Sequence, residues 1–143
     1  MGDYRKILLV VDLSDDSQVI GERAKAIAAC YQSEITLLHV VEYVPVEPMG
    51  EALLPTVQVE SELVDRARSR LSELSKKLSL GDRVQLVATG SIKAEIIRTA
   101  QRLGVDLIVL GSRERHGLAI LLNFTEDTVL HAAPCDVLAV RLH

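Results

Sequence analysis

The residues with the clearest chemical potential lie just after the apolar run Asp106 to Leu110. That run, DLIVL, is typical of a strand buried on both faces of a parallel sheet. Two glycines, Gly111 and Gly117, flank the polar residues that follow. In open parallel sheets, ligands bind outside the carboxyl ends of strands, where helix N-termini and free backbone amides favour anions. The spacing therefore predicts a phosphate-type loop over residues 111–117, followed by a helix that ends near His131.

Some side chains of this loop favour phosphate binding and others oppose it. Glycine lets a phosphate approach the backbone closely, but a carboxylate at Glu114 would repel it by about 1 kcal/mol in water and about 4 kcal/mol in a partly buried site. Arg113 and Arg115 could instead bind phosphate through paired hydrogen bonds. Two interpretations stay open, a solvated charged loop and a residual anion or nucleotide site. Ser112 and His116 lack a third group to orient the imidazole, so we assign no catalytic residue.

The elements that would position this loop alternate between strands and helices. Apolar runs predict strands over residues 6–11, 34–41, 83–88, 106–110 and 137–141. Helical spacing of apolar residues fills the segments between them. This order predicts one domain with a doubly wound, Rossmann-like α/β fold, in which helices cover both faces of a five-stranded parallel sheet. The mixed polarity of residues 83–88 indicates an edge strand.

Local signals predict where the helices begin and end. Asp15, with Gln18 as its return partner, is the expected cap of the first helix. Ser91 is expected to cap the third helix and Gly104 to end it. A long second helix is predicted over residues 57–80. The preceding segment, residues 42–56, contains three of the four prolines and is predicted to be a loop that no helix or central strand enters.

Asp12 follows the first predicted strand and has two possible roles. An acidic residue at a strand tip often receives a ribose hydroxyl, and an adenine amine is a similar donor. The same carboxylate could instead cap the first helix together with Ser14. The sequence does not choose between these roles.

Composition narrows the functional classes. The chain has 143 residues, the size of one domain, a formal net charge of −4 and a pI near 5.5. This balance argues against nucleic acid as a partner. Cys30 and Cys135 show no metal-ligand spacing, so no metal site is expected, and both are expected to pack as small apolar groups in a reducing compartment. The N-terminal apolar run meets Asp12 too soon for a signal peptide or membrane span, so we expect a soluble cytoplasmic protein without a membrane partner.

Three segments in order carry a family resemblance. The segments YRKILLVVDLSDDS, ITLLHVVE and GVDLIVLGSRERHGL, followed by APCDVLAVR, resemble the universal stress protein family over nearly the whole chain. The resemblance implies the strand order 3-2-1-4-5, homodimers and a role in stress resistance. It also implies that some members bind ATP through a loop of the form Gly-x2-Gly-x9-Gly-Ser/Thr, which other members have lost.

This chain keeps only part of that loop. Gly111 matches the first glycine, and Glu114 stands where the second belongs. Strict counting places Phe124 and Thr125 at the last two positions, and a one-residue deletion would place Asn123 and Phe124 there. The resemblance places Asp12 and Val40 near adenine and ribose.

We therefore expect a dimeric, non-enzymatic stress-response module with weak or lost ATP binding and regulatory protein partners that the sequence does not name. The alternative is an ATP or AMP sensor, with magnesium and slow ATP hydrolysis as further options. Its nucleotide-binding residues would be Asp12, Val40, Gly111, Arg113, Arg115, Gly117 and Thr125. The last strand carries no charge before Arg141 and no proline, so its edge is expected to pair with a second copy. That interface would comprise Val137, Leu138, Ala139, Val140 and Arg141.

Overall fold

A parallel sheet of five strands forms the centre of the molecule. The computed structural model describes residues 3–42, 53–80, 84–113, 129 and 131–142, with only the backbone described at residues 53–59 and 113. The strands are β1 (Lys6–Val10), β2 (Glu34–Glu42), β3 (Gln85–Gly90), β4 (Leu107–Arg113) and β5 (Asp136–Leu142). The helices of the described ranges are α1 (Ser17–Tyr31), α2 (Leu53–Lys77) and α3 (Ile92–Leu103).

The strand order is β3-β2-β1-β4-β5, and each neighbouring pair is parallel. This confirms the fold class and the order that the family resemblance implied. β3 lies at one edge of the sheet, as its mixed polarity predicted. β1 lies in the middle, and the chain moves from it towards β2 on one side and, later, towards β4 on the other. The direction in which successive strands are added to the sheet therefore reverses beside β1. Open α/β sheets bind ligands at such a topological switch point.

Two apolar clusters, one on each face, hold the layers together. On one face, α1 and α2 cover the sheet, and Ile20, Leu71 and Leu78 are at most 3% exposed. On the other face, α3 contributes Ile96, and Val129 packs there as well. These side chains follow the apolar spacing of the sequence, whereas Leu63 of α2 is 40% exposed.

Helix signals were correct for α3. The Ser91 hydroxyl accepts a hydrogen bond from the Ala94 amide at 3.4 Å, and Gly104 ends the helix in the left-handed region with φ of 63°. Glycine adopts this conformation without the clash that a Cβ would introduce. The predicted end of a fourth helix near His131 agrees with the helical conformation of residues 129, 131 and 132, and the rest of that prediction lies outside the described residues.

Three predicted boundaries were wrong. The α2 helix begins at Leu53 and includes Pro55, which was assigned to a loop. Proline is tolerated in the first turn because amides there have no partner within the helix. The α1 cap is Asp16 rather than Asp15, and its side chain makes no capping hydrogen bond. The β4 strand continues through residues 111–113, which were predicted as loop, because β5 pairs with it as far as Leu142.

Within the described ranges, none of the helices combines the length and the apolar character that crossing a bilayer requires.

Candidate functional site

At the carboxyl end of β1, the neighbouring strands β2 and β4 both extend further than β1 does, and we call the space between them the crevice. Val10 is the last residue of β1 and pairs with Leu38, yet β2 continues for four more residues to Glu42. On the other side, Leu9 pairs with Val109, and β4 continues to Arg113. At about 3.3 Å per residue, the two neighbours extend roughly 10 to 13 Å beyond β1. The crevice is therefore bounded by backbone on both sides and lies at the topological switch point of the sheet.

Val40 presents its main chain to this crevice. The Leu38 carbonyl accepts a hydrogen bond from the Val11 amide at 3.0 Å, so even-numbered residues of β2 bond towards β1. Val40 continues this alternation past the end of β1. Its side chain is 6% exposed and packs with Leu110 and Val129 on the α3 face. The amide and carbonyl of Val40 thus face the crevice, whereas its side chain does not.

His39 strengthens the crevice wall. Its Nδ1 lies 2.8 Å from the Val11 carbonyl oxygen. Because a carbonyl only accepts hydrogen bonds, this geometry requires Nδ1 to carry the proton. His39 therefore links β2 to the residue that follows β1.

The Asp12 carboxylate lies at the mouth of the crevice and already holds two donors. Its Oδ1 accepts the Ser14 amide at 2.9 Å and the Ser17 hydroxyl at 3.2 Å. Ser17 is the first residue of α1 and is 1% exposed. The carboxylate therefore stabilises the turn into α1, although it does not cap the helix itself, whose N-cap residue is Asp16. Asp12 remains exposed to solvent.

Gly111 has a packing reason for lacking a side chain. A Cβ placed on it would lie 2.6 Å from Ile20 Cδ1 and 2.9 Å from Leu142 Cδ1. Real Cβ atoms essentially never approach another heavy atom within 3.0 Å. The α1 helix therefore packs onto β4 through the space that a glycine leaves.

The other predicted loop residues can be placed only in part. Arg113 is the last residue of β4, and its backbone pairs with Leu142. The candidates Arg115, Gly117 and Thr125 lie outside the described residues, as do Glu114, Asn123 and Phe124. Of the seven predicted nucleotide-binding residues, the structure brings Asp12, Val40, Gly111 and the Arg113 backbone to the same end of the sheet.

The predicted dimer residues all lie on β5, at the edge of the described sheet. The hydrogen bond from the Glu34 amide to the Arg5 carbonyl sets the alternation in β1, and the strand register carries it through β4 to β5. Following this alternation, the main chain of Ala139 faces away from β4. Val140 is 4% exposed and packs on the α1 face, whereas the Ala139 side chain is exposed.

The two cysteines differ in exposure. Cys30 is exposed, so the prediction that it packs as a small apolar group was wrong. Cys135 is partly buried against the α3 cluster, and this burial is the main cause that raises the pKa of its thiol. The part of the chain that the structure describes contains no group of three or more His, Cys, Asp or Glu residues that could hold a metal ion.

Sequence reasoning missed a second set of residues beside Asp12. Leu13 has a left-handed backbone with φ of 64°, and its carbonyl accepts a hydrogen bond from Arg70 Nη2 of α2. A pocket of about 290 Å³ lies between this turn and α2, with Glu73 and Lys77 in its lining. No local pattern could have revealed the contact, because Leu13 and Arg70 are 57 residues apart.

Comparison with known proteins decides the family. The model of the universal stress protein family matches residues 3–141. The chain belongs to the universal stress protein family. Universal stress protein A homolog 2 of Coxiella burnetii is 37% identical over 143 residues, covering 99% of this chain and 98% of that protein. Universal stress protein A homolog 1 of the same organism is 38% identical and covers 96% of each chain.

Solved structures of universal stress proteins share the fold. The universal stress protein UspA from Lactobacillus plantarum superposes with a TM-score of 0.84 at 24% identity, covering 99% of this chain and 100% of that one. A universal stress protein solved in complex with cAMP superposes with a TM-score of 0.65 at 19% identity, covering 97% and 98%. These similarities support the same α/β architecture for this universal stress protein.

Proposed function

We propose that this universal stress protein is a dimeric, non-enzymatic regulatory module whose crevice at the end of β1 binds ATP weakly or not at all. The observation that carries this proposal is the state of Asp12 and Gly111. Both match the family's nucleotide site, yet the Asp12 carboxylate stabilises the turn into α1 and Gly111 makes room for Ile20. Their presence is therefore explained by the fold alone.

The sequence of the loop after β4 supports the same conclusion. Glu114 stands where the family pattern has its second glycine, and Phe124 by strict counting, or Asn123 after a one-residue deletion, stands where it has the third. A glycine at such positions lets a phosphate reach the backbone amides, and a carboxylate repels it. A repulsion of about 1.4 kcal/mol lowers affinity tenfold.

The test is a nucleotide titration of the purified protein. Denatured protein is first assayed for released nucleotide, and the native protein is then titrated with ATP and magnesium by calorimetry. We expect no released nucleotide and no binding in the low micromolar range. The variant Glu114→Gly/Phe124→Gly should gain affinity if those two side chains block the site, and Glu114→Ala/Phe124→Ala is the matched control that removes them without adding backbone freedom. Low-micromolar binding by the wild-type protein would overturn the proposal.

A nucleotide sensor is the second candidate function. Val40 favours it, because its amide and carbonyl face the crevice at the topological switch point of the sheet. There they could form hydrogen bonds with the edge of an adenine ring. In this case ATP or AMP, with magnesium, would bind Asp12 and Val40, and Arg113 and Arg115 would supply positive charge. Shifts of the Val40 and Asp12 amide resonances on addition of AMP would favour this candidate over the first.

The dimer part of the proposal depends on β5. The Ala139 amide faces outward from the sheet edge, where a second copy of β5 could accept its hydrogen bond. The variant Ala139→Pro removes this donor, whereas Ala139→Ser keeps it. We expect sedimentation velocity to show dimers for the wild type and Ala139→Ser and monomers for Ala139→Pro. A dimeric Ala139→Pro variant with an unchanged circular dichroism spectrum would refute pairing through β5.

A further inference from the structure

The turn between β1 and α1 holds two unfavourable features at adjacent residues. Leu13 adopts the left-handed region with φ of 64°, which residues with a Cβ rarely occupy. Next to it, the Ser14 hydroxyl oxygen exposes less than 1 Å² and has no hydrogen-bond partner among the described residues. Costs of this kind persist only where the surrounding structure enforces them, and they concentrate at functional sites.

Two contacts keep Leu13 in this conformation. Its side chain is 7% exposed and packs in the core cluster beneath α1 and α2. Its carbonyl oxygen accepts a hydrogen bond from Arg70 Nη2, which reaches across from α2. The first contact fixes the side chain and the second fixes the peptide plane, so that together they determine the direction of the following amide.

The following amide belongs to Ser14, and it donates to Asp12 Oδ1 at 2.9 Å. If Leu13 relaxed to a negative φ, the peptide plane after it would rotate and this amide would turn away from the carboxylate. Asp12 would then keep the hydrogen bond from the Ser17 hydroxyl but lose the one from the Ser14 amide. The orientation of the carboxylate at the crevice mouth thus depends on a residue of α2.

We propose that Arg70 is a positioning residue, which holds Leu13 in the left-handed conformation and thereby sets the Asp12 carboxylate at the mouth of the crevice. Arg70 is exposed and lines the pocket between this turn and α2. Its guanidinium therefore acts from outside the core, and its loss should alter the turn without unfolding the sheet. The relevance to ligands rests on the proposed function of the crevice, whereas the conformational claim does not.

The experiment compares three variants by 15N NMR. Arg70→Met keeps most of the apolar length and removes the donor, Arg70→Lys keeps a donor, and Arg68→Met changes an exposed arginine of the same helix. We expect Arg70→Met to shift the Ser14 amide resonance and to raise its hydrogen-exchange rate about tenfold. Arg68→Met should leave both unchanged, and Arg70→Lys should restore much of the wild-type behaviour.

The deciding measurements are the Ser14 amide resonance and its hydrogen-exchange rate, and not the free energy of unfolding. An Arg70→Met spectrum in which the Ser14 resonance and exchange rate match those of the wild type would overturn the proposal. Equal changes in Arg70→Met and Arg68→Met would also overturn it, because a general loss of charge on α2 would then be responsible. Titration of the same samples with AMP tests the crevice separately, so failure of nucleotide binding leaves the Ser14 result to decide the role of Arg70.

Discussion

Gly111 offers the sharpest test of whether its absent side chain serves packing. The substitution Gly111→Ala would place a methyl group 2.6 Å from Ile20 Cδ1, about 1 Å closer than an optimal carbon–carbon contact. Overpacking of this kind costs about 1 to 3 kcal/mol. Ile20→Val removes the Cδ1 atom concerned and alone costs about 0.5 to 1.5 kcal/mol. Independent effects would therefore sum to about 1.5 to 4.5 kcal/mol.

The structure predicts that the two effects are not independent. In the double variant the new methyl group occupies the volume that Cδ1 vacates, and only its close contact with Leu142 Cδ1 at 2.9 Å remains. The loss of stability in the double variant should therefore be clearly smaller than the sum of the two single losses. Urea unfolding followed by circular dichroism measures the four stabilities, which suits a chain without tryptophan. Ile96→Val, on the opposite face of the sheet, is the matched control and should add to Gly111→Ala within about 0.5 kcal/mol. If the losses of Gly111→Ala and Ile20→Val also added within about 0.5 kcal/mol, the packing explanation of Gly111 would be refuted.

Two further predictions concern Asp12 and Cys135. Asp12→Ala removes the acceptor for the Ser14 amide and the Ser17 hydroxyl and should cost about 1 kcal/mol in thermal unfolding, the typical net value of a hydrogen bond. Asp12→Asn keeps an acceptor and should cost less, and equal losses would contradict the role of Asp12 in stabilising the turn. Burial raises the pKa of the Cys135 thiol, so in a Cys30→Ser background it should react more slowly with Ellman's reagent near pH 8 than the same protein in urea, and equal rates would contradict its burial. Because the folded pKa is the higher one, the stability linked to Cys135 is fully present below the pKa of the unfolded thiol and is lost as pH rises through the folded value.

The sequence predicted the sheet well because strand burial is a local property. Apolar runs such as residues 6–11 and 106–110 can be explained by burial on both faces, and the helices between them leave a parallel arrangement as the consistent outcome. Pro55 misled the prediction because the rule against proline applies to helix interiors and not to a first turn. The extent of β4 was underestimated because its last residues are held by pairing with β5, which lies 29 residues further along the chain.

The site was harder to predict because its decisive contacts join distant residues. Ile20 and Gly111 meet only because α1 crosses β4, and Arg70 reaches Leu13 only because α2 packs beside the start of α1. Sequence spacing carries no signal for either contact. From the sequence, Asp12 had two possible roles, contact with a nucleotide or capping of the first helix. Only the positions of the Ser14 and Ser17 donors show that its carboxylate stabilises the turn before that helix.

These contacts determine which residues are informative about nucleotide binding in this universal stress protein. Asp12 and Gly111 each have a role in the fold whether or not a nucleotide binds, since one stabilises the turn into α1 and the other leaves room for Ile20. Their match to a nucleotide-binding pattern therefore carries little weight. The positions that discriminate are those where glycine would serve a phosphate, and there the chain has Glu114 and Phe124. The proposed weak or absent ATP binding is therefore to be tested at Glu114 and, by strict counting, Phe124, and not at Asp12 or Gly111.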